Sequence, residues 1–437
     1  MRRLTLPKMP TLTGKVRLPG SKSLSNRYLL LSALSRGTTT LVDLLDSDDI
    51  RAMHGALLEL GVTLVHANPK DPSSPLAVTG IGGAGFRSPE TSLNLGNAGT
   101  AMRPLAAALC AAQGEFVLDG VARMRERPIG DLVEGLRPVL AEGGSIEYLG
   151  NPGFPPLRIR SRGFRGGRTR IKGSTSSQFL TGLLMAAPLS PEPLEIEVEG
   201  DLISKPYIEI TLRLMELFGV RVQRDGYRLF SVQPTTYQAP GTIQVEGDAS
   251  SASYFLGWGA LGGEVRVLGC GERSVQGDAA FADVLSKMGA TVTKGPDWIE
   301  CAAPSHGPLR GIDIDMIDMP DAAMTLATLA LFAEGPTAIR GIGSWRVKET
   351  ERVVAVRDQL RKLGATVEEG PDWIRVTPPT KLVENVEIET YDDHRMAMAF
   401  SLAAHGVGVT ILDPDCTAKT FPTYFQELSR LAGGTPD

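Results

Sequence analysis

Two stretches of the chain read almost alike, and that duplication narrows the fold more than any other feature. Gly289-Ala290-Thr291-Val292 leads to Gly295-Pro296-Asp297-Trp298-Ile299, and Gly364-Ala365-Thr366-Val367 leads to Gly370-Pro371-Asp372-Trp373-Ile374. Alternating residues predict a pair of short strands in each copy, with Gly-Pro-Asp as the turn between them. An amphipathic helix runs into the first glycine of each copy, and the same ending recurs at Leu57-Leu58-Glu59-Leu60-Gly61 and Met215-Glu216-Leu217-Phe218-Gly219. A chain that repeats helix, glycine and hairpin is built from one α/β unit used several times.

The start of the unit repeats as well. Small or capping residues open an apolar helix at Ser21-Lys22-Ser23, Gly96-Asn97-Ala98-Gly99-Thr100, Ser174-Thr175-Ser176-Ser177-Gln178, Asp248-Ala249-Ser250-Ser251, Pro320-Asp321-Ala322-Ala323 and Asp392-Asp393-His394-Arg395. Successive openings lie roughly 70–80 residues apart, too long for an ordinary solenoid repeat and enough for a whole α/β unit. Phe179 to Ala187, Ala322 to Phe332 and Met396 to Ala404 are apolar nearly all round, as helices inside a domain are. Six such units cannot bury their faces singly, so two pseudo-symmetric domains of three units each are expected. The polar connector Gln233-Pro234-Thr235-Thr236-Tyr237-Gln238-Ala239-Pro240-Gly241 places a boundary before Asp248. Helix N-termini pointing from both domains into one gap would make that gap attract anions.

The charge balance limits the partners. With 437 residues and a net charge of −5, the chain has ample core and no general affinity for nucleic acid is expected. Anion binding therefore requires a local concentration of Lys and Arg. No signal peptide and no membrane-length apolar run are apparent, so a cytoplasmic protein is expected. Cys110, Cys270, Cys301 and Cys416 form no CxxC pair and the five histidines show no ligand spacing, so neither a metal nor another cofactor is expected.

Lys22 falls in the first turn of its helix, beside free backbone N–H groups, and Ser23 and Arg27 are four residues apart on one face. This is an anion site. It is not a nucleoside-triphosphatase phosphate loop, because Ser21 stands where that motif needs a glycine. Gly96 to Thr100 gives an anion access to the backbone, and Arg123, Arg125 and Arg127 alternate in a loop before Pro128. Ser176, Ser177 and Gln178 offer three hydrogen-bonding side chains at a helix start, and Ser204 and Tyr207 stand at another. In Trp345-Arg346-Val347-Lys348-Glu349-Thr350-Glu351-Arg352, a helical reading puts Lys348 and Arg352 on one face with Glu349 beside them. Asp321, between Pro320 and Ala322, reads as an ionised N-cap that could accept a proton, and Arg395 and Lys419 add cations late in the chain.

Several of these blocks together resemble the 5-enolpyruvylshikimate-3-phosphate synthase family. The likeness is carried by Leu18 to Arg27, Leu95 to Pro104, Arg125-Glu126-Arg127-Pro128-Ile129, Trp345 to Thr350 and Cys416-Thr417-Ala418-Lys419-Thr420-Phe421. It implies two pseudo-threefold inside-out α/β domains built from six βαβαββ repeats. One domain would comprise residues 1–20 and 247–437 and the other residues 21–246, with the active site in the cleft between them. The implied reaction moves the enolpyruvyl group of phosphoenolpyruvate to the 5-hydroxyl of shikimate 3-phosphate, releasing phosphate, in a monomer.

The resemblance also assigns roles. Lys22 would touch both substrates. Ser23, Arg27, Ser176, Ser177, Gln178, Ser204, Tyr207, Asp321, Ser344 and Lys348 would hold shikimate 3-phosphate; Gly99, Arg127, Gln178, Arg352, Arg395 and Lys419 would hold phosphoenolpyruvate. Ser344 departs from the asparagine usual at its position, which shortens the contact expected there. Gly99 and Pro104 match the form sensitive to glyphosate, which competes with phosphoenolpyruvate. Chemistry demands one base and one acid, for which Asp321 and either Lys22 or Glu349 are the candidates. The alternatives are the related transferase acting on UDP-N-acetylglucosamine, which typically has asparagine after its lysine and a loop cysteine, and a non-enzymatic sensor of a phosphorylated metabolite.

Overall fold

The structure is a computed structural model that describes residues 2–83 and 85–433. The chain divides into two compact units, Gly20–Val245 and the pair of segments Met1–Pro19 and Glu246–Asp437. Gly20–Val245 contains three four-stranded sheets, and the other unit contains two four-stranded sheets and one of three strands.

The repeat is seen whole in three places. Gly167–Lys172, the helix Ser177–Ala186, Leu194–Glu199, the helix Lys205–Leu217, Val222–Asp225 and Leu229–Val232 follow one another as β, α, β, α, β, β. The first two strands pair in parallel and the rest antiparallel. The units beginning at Leu93–Asn94 and Asp313–Asp315 repeat this path. In two more, the opening strand comes from elsewhere in the chain: Thr242–Gln244 pairs with Thr38–Val42, and Leu12–Arg17 with Gly263–Leu268. The sixth unit is shorter than expected. Val386–Ile388 and Val409–Leu412 lie in parallel, and Arg3–Leu6 alone takes the place of the closing hairpin.

Six helices fill the cores: Lys22–Leu34, Gly99–Ala111, Ser177–Ala186, Ala249–Leu261, Ala323–Leu329 and His394–Ser401. Each is buried along nearly its whole length, so tertiary packing rather than propensity holds them helical. Four carry the side-chain caps that the sequence calls for. Ser21 accepts from the backbone of Leu24, Ser176 from Gln178, Asp248 from Ser251 and Asp393 from Arg395. The second helices end as expected, with Gly61, Gly219, Gly289 and Gly364 all at positive φ, where a Cβ would be strained. Among the described residues, no helix is long and apolar enough to cross a membrane.

Two local expectations are corrected. Asp321 is not a helix cap, because Ala322 holds that position before Ala323–Leu329; its carboxylate is drawn to cations instead of to the backbone. Lys348 and Arg352 do not share a helix either. Gly343–Val347 forms a 3-10 turn, and Arg352 opens the helix Arg352–Lys362, whose start is capped by Glu351 accepting from Val354 N at 2.7 Å.

Candidate active site

The site residues expected from the sequence fall into two groups, one in each unit. In Gly20–Val245, four helix starts are tied together by side chains. Ser23 and Arg27 share a face as expected, and Arg27 Nη1 donates to Ser23 Oγ at 2.6 Å. The same guanidinium donates to Thr211 Oγ1 at 3.0 Å, to Thr181 Oγ1 and to the carbonyl of Tyr207, both at 3.4 Å. Among the described residues all its partners are neutral oxygens, and burial pulls its pKa down to about 10, against a smaller opposing pull from Tyr207. A buried guanidinium without a carboxylate is a place that gains from an incoming anion.

Lys22 opens the same helix, and its Nζ stands 3.4 Å from Asp49 Oδ2 with both side chains buried. Asn26 Nδ2 donates to Thr100 Oγ1 at 2.7 Å, which ties this helix to the one that begins at Gly99. Over Gly99 lie two guanidiniums: a Cβ there would stand 2.2 Å from Arg103 Nη1 and 2.8 Å from Arg127 Nη2. Arg103 Nη1 also donates to Gln178 Oε1 at 2.8 Å, and Arg127 Nη1 donates to the carbonyl and Oδ1 of Asn97 at 2.8 and 2.9 Å. The alternating arginines are thereby sorted, for Arg123 and Arg125 pair on the surface with Glu126 and Asp119 while Arg127 is buried. Ser177 is buried beside its cap Ser176, and Ser204 stands in left-handed backbone just before the helix Lys205–Leu217 that carries Tyr207.

In the other unit the network centres on Asp321. Arg352 Nη1 reaches Asp321 Oδ1 at 3.0 Å, Arg395 Nη2 reaches Oδ2 at 2.9 Å and Lys348 Nζ lies 3.5 Å away. Burial alone would raise this carboxyl, but Arg395, Lys348 and Arg352 outweigh it and hold the group far below the carboxylate range. Arg352, itself almost fully enclosed, also pairs with Glu349 at 2.9 Å and with Asp393 at 2.7 Å. Lys419 Nζ approaches the other oxygen of Glu349 at 3.6 Å. Arg395 Nη1 donates to Tyr254 Oη at 3.2 Å, and burial pushes that phenol up to about 12. This network links the cations Lys348, Arg352, Arg395 and Lys419 to the carboxylates Asp321, Glu349 and Asp393 in a largely enclosed place. Ser344 sits in the 3-10 turn before Lys348 with its Oγ enclosed and, among the described residues, without a hydrogen-bond partner.

The sequence profile of EPSP synthase (3-phosphoshikimate 1-carboxyvinyltransferase) matches residues 7–428. The chain belongs to the EPSP synthase family. It is 57% identical over 432 residues to the 3-phosphoshikimate 1-carboxyvinyltransferase of Serratia proteamaculans, covering 98% of each chain. It is 57% identical over 435 residues to the enzyme of the same name from Klebsiella pneumoniae (strain 342), covering 99% of each. The solved EPSP synthase from Acinetobacter baumannii aligns over 100% of this chain and 99% of its own, with a TM-score of 0.80 and 27% identity. Membership in the EPSP synthase family agrees with the resemblance read from the motifs, and the six small sheets fit the family's inside-out α/β fold.

Site residues that sequence reasoning did not single out are Asp49, Arg103, Thr181, Thr211, Tyr254, Asp278 and, beyond its place at a helix start, Asp393. Arg103 lay inside a motif block characteristic of the EPSP synthase family, which was the available signal. Asp49 and Asp393 had none, since an acidic residue in the first turn or at a cap is explained by the helix dipole alone. Asp278 is buried, accepts from Ser250 Oγ at 3.1 Å, and is pushed up to about 6 by burial first and then by Asp321.

Proposed function

We propose that this chain transfers the carboxyvinyl group of phosphoenolpyruvate to the 5-hydroxyl of shikimate 3-phosphate, and that the two groups of residues act on one substrate pair. The observation that carries this reading is the largely enclosed carboxylate of Asp321 held by three cations. In a binding module for anions, such a carboxylate would compete with the ligand for the cations. An enzyme that must move a proton needs one.

In this reading Lys22, Ser23, Arg27, Ser176, Ser177, Gln178, Ser204, Tyr207, Ser344 and Lys348 hold shikimate 3-phosphate. Gly99, Arg127, Arg352, Arg395 and Lys419 receive phosphoenolpyruvate, with Lys22 and Gln178 touching both. Both substrates are multiply anionic, and each anion that arrives competes with Asp321 for Lys348, Arg352 and Arg395. As those cations turn toward substrate, Asp321 regains the basicity they had suppressed and takes the hydroxyl proton. The hydroxyl oxygen then bonds to C2 of phosphoenolpyruvate while the C2–C3 π pair takes a proton at C3. The Lys22 ammonium lies beside Asp49, and Glu349 lies between Arg352 and Lys419; one of these two groups supplies the proton to C3 in this scheme. In the second step C3 returns a proton to the group that supplied it, the C2–C3 double bond re-forms, and the bond from C2 to the phosphate oxygen breaks, the phosphate leaving with the proton that Asp321 had taken.

One copy of the chain carries both groups of residues, which supports a monomer as the working unit. Asp321→Ala tests the reading: the single-turnover rate should fall at least about 10²-fold with shikimate 3-phosphate affinity changed far less. Equal losses in both would make Asp321 a binding group only.

A further inference from the structure

The helix Arg352–Lys362 grips the segment that carries Arg395 at three points. At its first residue, Arg352 donates from Nε to Asp393 Oδ2 at 2.7 Å and from Nη2 to Asp393 Oδ1 at 3.2 Å. Seven residues on, about 10 Å along the axis and on nearly the same face, lies Gln359, whose side chain is fully buried. Its Oε1 accepts from Glu389 N at 3.1 Å and its Nε2 donates to Tyr391 Oη at 2.9 Å. Lys362 completes the grip by pairing with Glu389 Oε1 at 3.0 Å.

The gripped segment is strained. Tyr391 and Asp392 both have φ near +55°, a left-handed conformation that residues with a Cβ avoid and that two rarely adopt in succession. Such backbone persists only where its surroundings over-determine it. Asp393 follows at once, accepts from Arg395 N at 3.0 Å to cap its helix, and so fixes where the Arg395 side chain starts on its way to Asp321 and Tyr254. An amide is suited to this place, since it matches one backbone donor and one phenol oxygen at once.

We propose that Gln359 is a positioning residue for the reaction, holding the Tyr391–Asp392 turn left-handed so that Asp393 and Arg395 stay in register with Arg352 and Asp321. The proposal rests on the reading that Arg352 and Arg395 receive phosphoenolpyruvate. Gln359 touches neither substrate in this reading. Its effect passes through the backbone of residues 389–393.

The test is steady-state kinetics on the full chain, varying each substrate separately, for Gln359→Met, Tyr391→Phe and Arg395→Lys. Gln359→Met keeps the length of the side chain and removes both hydrogen bonds. It should raise KM for phosphoenolpyruvate about tenfold and lower kcat by about 10–100-fold while KM for shikimate 3-phosphate stays within about twofold. Tyr391→Phe, which removes one of the two Gln359 bonds, should shift the same parameters in the same direction by less. If Arg395→Lys raises KM for phosphoenolpyruvate but Gln359→Met, measured per folded molecule by circular dichroism, keeps wild-type kcat and KM, the proposal is overturned and the reading of the site stands. If Arg395→Lys itself leaves KM for phosphoenolpyruvate unchanged, that reading of Arg395 fails and the proposal falls with it.

Discussion

Lys22 Nζ and Asp49 Oδ2 lie 3.4 Å apart with 9% and 4% of their side chains exposed. Opposite charges this enclosed depend on each other, and removing one partner of a buried pair typically costs about 3–5 kcal/mol because the other is left uncompensated. Lys22→Met should therefore do two separable things: nearly abolish turnover and lower stability by roughly that amount. Adding Asp49→Asn should return much of the stability without returning turnover. Chemical denaturation and a phosphate-release assay on both variants check this, and an active Lys22→Met would remove the lysine from the mechanism.

Asp321 should leave a mark on acid stability. Its carboxyl is held below its ordinary value near 3.8 by Arg395, Lys348 and Arg352, against the opposing effect of burial. The unfolded chain thus takes up this proton at a higher pH than the folded protein does. The stabilisation is complete above the ordinary carboxylate range and is lost as pH falls below about 4 toward the folded value. Asp321→Asn should flatten the loss of stability on the acid side of pH 4; an unchanged slope would mean that the three cations do not act on this carboxylate.

Asp278 should behave in the opposite sense. Burial first, and then Asp321, push its carboxyl up to about 6 from 3.8, so the folded protein holds this proton more tightly than the unfolded chain. Its contribution is greatest below about pH 4 and is lost as pH rises through 6. Asp278→Asn should remove that decline and stabilise the protein at pH 7 by about 2–3 kcal/mol. Denaturation midpoints between pH 4 and pH 8 read this directly.

Gly99 has no room for a side chain without moving a guanidinium, since a Cβ would meet Arg103 Nη1 at 2.2 Å and Arg127 Nη2 at 2.8 Å. Gly99→Ala should raise KM for phosphoenolpyruvate and weaken glyphosate inhibition about tenfold or more, equivalent to about 1.4 kcal/mol or more of binding. Unchanged inhibition would place the phosphoenolpyruvate pocket elsewhere.

What the sequence revealed was whatever a few neighbouring residues decide. Ser21, Ser176, Asp248 and Asp393 could be read as caps because each acts within three residues of itself, and the apolar helices behind them declare their own burial. The partners of charged residues could not be read. Arg127 is set apart from Arg123 and Arg125 by a partner such as Asn97, thirty residues earlier. Asp321 has the local signature of a cap, yet Arg352 and Arg395, thirty-one and seventy-four residues on, bind it more strongly than backbone N–H groups do. The strand Arg3–Leu6 completes a sheet with Val409–Leu412, and no local pattern announces a pairing across nearly the whole chain.

The central claim is that this chain joins two phosphorylated substrates and needs both Asp321 and Lys22 to do so. Phosphate release with phosphoenolpyruvate and shikimate 3-phosphate, repeated with UDP-N-acetylglucosamine in place of the shikimate compound, tests it most directly. The account predicts release that requires both phosphoenolpyruvate and shikimate 3-phosphate and is lost in Asp321→Ala and Lys22→Met. Release with the UDP-sugar alone, or none with either acceptor, would contradict it.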